Sequence, residues 1–227
     1  MTRALLLAVA AAAAAADTMG LVRLVLGAFT DLAFVPALFQ VARHRRHFEL
    51  FIGISQLVAA MASNISQAVG ATLFIPEQQW HFVADVTTLT YACCLMVHLM
   101  GNGNENTNIV LRYAAFAFAG LFKARDSWDS VFWEALLVTS FVLLTVYSNF
   151  KQPSAVFKQY DQASAQLGAG ALMLALVFLG IDLATGGDQI GLLLALMHIS
   201  GAASAYFCWK AVPCFDYKKT ERVESFV

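Results

Sequence analysis

The chain has 227 residues, of which 59% are apolar and 13% are charged, against about 25% charged in an ordinary soluble domain. Mean hydropathy is +0.66, more apolar surface than a soluble core of this length can hide, so the natural solvent for most of the chain is a bilayer. A soluble enzyme, a nucleic-acid binder and a disordered chain are excluded, and a net charge of −1 offers nothing to a polyanionic partner.

Residues 1–16 stand apart. Arg3 precedes the alanine-rich run Leu5–Ala16, and Asp17 follows it. The run is too short to cross the roughly 30 Å hydrocarbon layer. It reads either as a signal-peptide core with a small-residue cleavage site or as a helical extension lying in the interface. Residues 17–210 read as one membrane domain and 211–227 as a tail.

Seven stretches have the apolar content of a span: 20–41, 48–70, 80–100, 108–122, 129–149, 164–184 and 189–209. The fourth is the shortest and spans only by borrowing polar flanks. Short connections such as RHRRH (43–47), GNGNENT (101–107) and TGGD (185–188) make neighbouring spans antiparallel. The expected fold is therefore an all-α bundle of seven transmembrane helices, without an internal repeat.

Lysine and arginine set the expected orientation. With the N-terminus outside, the inner segments hold Arg43, Arg45, Arg46, Lys151, Lys158, Lys210, Lys218, Lys219 and Arg222. The outer loops hold only Lys123 and Arg125. The C-terminus is then cytoplasmic. Trp80, Trp128 and Trp209 fall at span ends, as in an aromatic belt. Arg112, a turn inside the fourth span, is expected to snorkel to the inner surface.

Ionisable groups inside spans are costly unless paired, hydrated or facing a cavity. His81 and Asp85 are spaced i, i+4 in the third span, with Thr88 a turn on, so they share a face. Ser63, Asn64, Ser66 and Gln67 lie in the outer half of the second span, Glu134 in that of the fifth, His198 in that of the seventh, and Asp182 ends the sixth. These depths predict a polar pocket opening outward, lined by Ser63, Asn64, Gln67 and Glu134, with Asp85 and His198 as its reactive or paired groups. The alternative is that such residues only tie helices together. Asp31, about eleven residues into the first span by ~1.5 Å steps and close to Pro36, needs a partner or water. His98 falls near the inner end and reads as interfacial.

Other signals are local. Cys93 and Cys94 sit mid-span and read as packing. Cys208 and Cys214 flank the inner surface, where cysteines can be acylated. The terminus Glu224–Val227 fits capture of a chain end by a protein partner. The sequon Asn64-Ile65-Ser66 lies inside a span, beyond a glycosyltransferase. His198 stands where a retinal lysine would be needed, and no paired broken helices point to a transporter.

The stretch FTDLAFVPALFQVARHRRHFELFIGISQLVAAMASN (29–64) resembles the start of the myomaker and transmembrane-protein-8 family. The likeness returns at LFKARDSWDSVF (121–132) and LLLALMHISGAASAYF (192–207) and covers most of residues 20–210. The wider superfamily contains alkaline ceramidases, progestin and adiponectin receptors and GPI-lipid remodelling enzymes. Its pattern is a Ser or His in the second span, an Asp in the third and His-x-x-x-His in the seventh, a zinc hydrolase arrangement. By this resemblance Asp85 is the third-span acid and His198 the second histidine of the seventh-span pair. Leu194 stands where the first should be, and Asn64, beside Ser63, where the second-span ligand should be. Neither is a useful zinc ligand.

The resemblance thus implies a member that keeps the fold and lacks the metal. It acts through membrane lipids or a protein partner, in membrane remodelling or cell-surface events, with the tail as a docking element. Two alternatives remain. One is a zinc-dependent lipid hydrolase with His81, Asp85 and His198 as ligands and Asp85 and His198 as catalytic groups. The other is a receptor for a lipid-like ligand. The expected location is the plasma membrane or a secretory-pathway membrane.

Overall fold

Breaks in the chain follow local chemistry. Pro36 cannot donate to the carbonyl four residues back, so the helical turn at 30–32 tightens. Ala33 and Phe34 bond back to Thr30 and Asp31 at 3.2 and 3.1 Å, and a new helix, α1 (Val35–Arg43), starts with the proline in its first turn. Three residues later α2 (His47–Val69) runs back. Arg45 makes that turn in the left-handed region, at φ 55°, where a side chain is sterically opposed. Pro76 stands ahead of α3 (Glu77–Leu99), and Trp80 Nε1 donates to the Leu73 carbonyl at 2.6 Å to close the α2–α3 turn.

The computed structural model describes residues 30–69, 72–102, 104–125, 132–151, 160–185 and 191–212, with residues 22 and 25–27. The four remaining helices are α4 (Glu105–Arg125), α5 (Phe132–Lys151), α6 (Gln162–Thr185) and α7 (Leu192–Ala211). No named strand occurs among the described residues. The proposed signal segment 1–16, Trp128, Lys158, Cys214 and the tail end lie outside them.

The fourth helix differs from its expected bounds. It begins at Glu105, not at 108, because Asn104 caps it: its Oδ1 accepts from the backbone N–H of Asn106 and Thr107 at 3.1 and 3.4 Å. At 21 residues α4 is about 31 Å long, enough to cross. It is nevertheless too polar to count among the six stretches that, among the described residues, have both the length and the hydropathy of a span, namely Val25–Arg43, His47–Gln67 and α3, α5, α6 and α7.

The polarity of α4 is turned inward. Asn108, Arg112, Ala115 and Ala119 are buried at helical spacing, while Ile109, Val110, Tyr113, Phe116 and Leu121 face out. Large apolar side chains outside and small or polar ones inside are the arrangement a bilayer selects. The same holds for α5 and α6, with Leu143, Phe150, Leu167, Met173 and Leu183 all exposed. Contiguous apolar surface on this scale is foreign to a soluble monomer.

Packing places α3 at the centre. One core cluster joins Phe34, Leu38 and Val41 of the first segment to Ile52 (α2), Tyr91 (α3) and Trp209 (α7). A second joins Val86, Cys93 and Val97 of α3 to Ala115 and Ala119 (α4) and Leu137 and Phe141 (α5). Close approaches fix the contacts. A Cβ on Gly53 would stand 2.5 Å from Leu38 Cδ2. One on Gly168 of α6 would stand 2.6 Å from Cys208 Sγ of α7. Helix α6 packs extensively on α7, and α7 in turn packs on α1.

Candidate functional site

Antiparallel helices give the bundle two ends. The α1–α2 turn, the α3–α4 connection and the end of α7 share one, here the basic end. The α2–α3 turn, the end of α4 and the start of α5 share the other, the distal end. Each end carries a charged cluster.

The distal cluster joins three helices. His81 Nδ1 lies 2.9 Å from Asp85 Oδ2 on the same face of α3, as the i, i+4 spacing requires. Lys123, near the end of α4, reaches Asp85 Oδ2 at 2.7 Å and Glu134 Oε1 of α5 at 2.6 Å. The ammonium is almost wholly covered, whereas the two carboxylates are about a quarter exposed. Lys123 is therefore a bridge between α3 and α5 and not a loop cation. Beside it, the Arg125 guanidinium lies 4.7 Å from the Trp133 ring centre.

The basic-end cluster is deeper and larger. Glu49, in the first turn of α2, is wholly buried. Its Oε1 lies 2.6 Å from His98 Nε2 of α3 and 2.9 Å from Arg112 Nη1 of α4. Arg112 also reaches Glu105, one end of the ladder Glu105–Arg112–Glu49. Arg46 Nη1 stands 2.6 Å from His98 Nδ1. A guanidinium only donates, so Nδ1 is the acceptor, and Nε2 carries the hydrogen that goes to Glu49. The backbone carbonyl of His98 accepts from the Tyr160 hydroxyl at 2.8 Å, just ahead of α6. The His98 ring also packs 5.4 Å from that of Trp209 of α7. Outside the spans, burial first and then nearby Arg46 and Arg43 hold the His44 imidazole below its ordinary range.

Two expectations change here. Arg112 does not snorkel. It is 9% exposed and turned into the bundle, because Glu49 and Glu105 offer it paired carboxylates. His98 is not an interfacial side chain, because Glu49 and Arg46 hold both of its ring nitrogens.

The remaining candidates are dispersed. Asp31 finds its partner in Asn64, whose Nδ2 donates to Asp31 Oδ2 at 2.7 Å. Asn64 thus faces the helical turn that precedes α1, whereas Glu134 is turned to α4. Ser63 is half-buried and Gln67 exposed. His198 is half-buried in α7, and Asp85 pairs with His81 and Lys123 instead. Among the described residues no three His, Cys, Asp or Glu side chains are placed to hold a metal ion, so His81, Asp85 and His198 are not gathered into one set. Cys93 and Cys94 are buried free thiols within the bundle.

Of the residues in this cluster, Glu49 is the one that no motif or spacing in the sequence singles out. Depth was the available signal. Glu49 at the start of α2, His98 at the end of α3 and Arg112 two turns into α4 all fall near one end. Two opposite charges and an imidazole at one depth form a ready ion pair.

An all-helical chain whose charges pair inside and whose large apolar side chains face out is a multi-pass integral membrane protein. Residues 19–199 match a family described as "Protein of unknown function (DUF3522)". The match spans most of the chain, which belongs to that family. No curated protein matches it.

Proposed function

We propose that the chain is a non-catalytic seven-helix membrane protein that acts through contacts with lipid or with a membrane partner, in membrane remodelling or cell-surface events. One observation carries this reading. The carboxylates with the best claim to chemistry, Asp85 and Glu134, share one lysine across α3, α4 and α5. The almost wholly covered ammonium ties the two carboxylates to each other and to the packing of three helices, which is the arrangement of a structural clamp. The N-terminus lies outside and the basic end faces the cytoplasm, following the distribution of Lys and Arg. The resemblance to the myomaker and transmembrane-protein-8 family supports the cell-surface part of the reading.

The test is a turnover assay on the full chain in proteoliposomes, with ceramide and lysophospholipid as substrates and zinc supplied. The expected result is no hydrolysis, with Asp85→Asn and Lys123→Met lowering thermal stability non-additively, as members of one clamp. Hydrolysis that disappears in a folded Asp85→Asn variant would overturn the reading in favour of a lipid hydrolase. Orientation is checked by a C-terminal epitope, which should label only after cells are permeabilised.

A further inference from the structure

A groove of about 720 Å³ lies on the outer surface between α1 and α7. Its walls are Val35, Pro36, Phe39 and Tyr206, and its polar rim is Gln40 and Arg43. None of the candidate residues discussed above lines it. It is a shallow, largely apolar groove open along one side, a shape that suits an elongated ligand lying on the surface. Its long axis follows α1, so it is apolar toward the middle of the bundle and cationic at the basic end.

The charge at its rim is uncommitted: Arg43 lines the groove, and Arg45 follows two residues on in the α1–α2 turn. Arg43 and Arg45 are exposed, and neither has an ion pair among the described residues. By contrast, Arg46 is bound to His98 and Arg112 to Glu49. No carboxylate lines the groove, and Glu49, the nearest acid in sequence, is buried. Arg45 also holds an unfavourable left-handed backbone, at φ 55°. Such strain persists only where the surroundings impose it and is common at binding sites.

We infer that this groove seats an anionic phospholipid, with the phosphate diester at the rim residue Arg43, an acyl chain along Phe39, Pro36 and Val35, and Arg45, two residues on in the α1–α2 turn, adding to the local positive charge. The inference deepens the lipid-contact part of the proposed function and rests on it. Charge complementarity selects the occupant. A zwitterionic lipid would fill the apolar wall equally well and brings the same phosphate, but its own cation offsets that charge and leaves the arginines a weaker partner. A neutral sterol would leave the rim empty.

The test is native mass spectrometry of the detergent-solubilised full chain, titrated with phosphatidylglycerol and with phosphatidylcholine of identical acyl chains. Phosphatidylglycerol should bind more tightly. The Arg43→Gln, Arg45→Gln double variant should weaken it by roughly 25-fold, about fivefold per arginine, and weaken phosphatidylcholine far less. Phe39→Asn should weaken both lipids. A Lys151→Gln, Lys210→Gln control at the same end should change neither. Equal affinity for the two lipids would overturn the proposal, as would an equal loss in the lysine control. A photo-reactive benzoylphenylalanine at position 206 gives a second reading in the otherwise native chain. It should crosslink to phosphatidylglycerol, and absence of the adduct would count against the seat. Lipid hydrolysis would sink the non-catalytic reading without touching this one.

Discussion

The two charged clusters use the same chemistry under different solvation. At the basic end, Glu49 is fully buried and meets Arg112 and His98 within 3 Å. At the distal end, Asp85 and Glu134 are about a quarter exposed while sharing Lys123. Removing one partner of a buried pair strands the other in low dielectric, at roughly 3–5 kcal/mol. Removing one partner of an exposed pair costs about 0.2–1 kcal/mol. The basic end should therefore hold the fold, and the distal end should trim it.

The largest effect should come from Glu49→Gln. It keeps the shape but leaves Arg112 with Glu105 alone and His98 with a neutral partner. A loss of about 3–5 kcal/mol is expected, read as a lower thermal unfolding midpoint in detergent. A loss no greater than that of a distal variant would erase the contrast between the ends.

Lys123→Met comes next, at about 1–2 kcal/mol, between the exposed and buried limits. Pairing it with Asp85→Asn should recover part of that loss, since the two carboxylates would no longer repel across the gap. Additive losses would mean that Lys123 does not couple α3 to α5.

Salt should separate the ends further. The Debye length falls to about 3 Å at 1 M, so high salt should shrink the Lys123→Met effect and leave that of Glu49→Gln nearly unchanged. Equal attenuation would place water at the buried cluster.

The smallest effect concerns His44. Burial, with Arg46 and Arg43 beside it, keeps the imidazole neutral below its ordinary value of 6.5. The folded chain therefore binds fewer protons than the unfolded chain. The corresponding stability is fully present above pH 6.5 and is lost as pH falls toward the lower folded value. His44→Gln should flatten that acid-side slope. A steeper slope in the variant would show that the imidazole is charged in the fold.

Much of this was legible in sequence because composition and depth are one-dimensional. The apolar stretches became helices, and Asp31 found the partner that its depth demanded. The His81–Asp85 pair followed from i, i+4 spacing alone. What failed was anything depending on rotation about a helix axis. Arg112 was placed at the surface because depth says nothing of azimuth, and its burial depends on Glu49, sixty-three residues away. Asn104 falls by composition in the connection 101–107, although an Asn directly before an acidic first turn is a cap signal. The link between Lys123 and Asp85 could not be read from a segment that looks like an outer loop.

The contact between Gly168 and Cys208 has a consequence for biogenesis. Helix α6 meets the rest of the molecule chiefly through α7, and Ser204 Oγ donates to the Gly168 carbonyl at 2.9 Å to seal the pair. Two spans so joined can enter the bilayer as a finished hairpin and dock last, with Trp209 closing against Tyr91 and His98. A chain severed between α5 and α6 and co-expressed as two fragments should then reassemble. A bulky residue at position 168 would leave the first five helices inserted and waiting for a lid that cannot form.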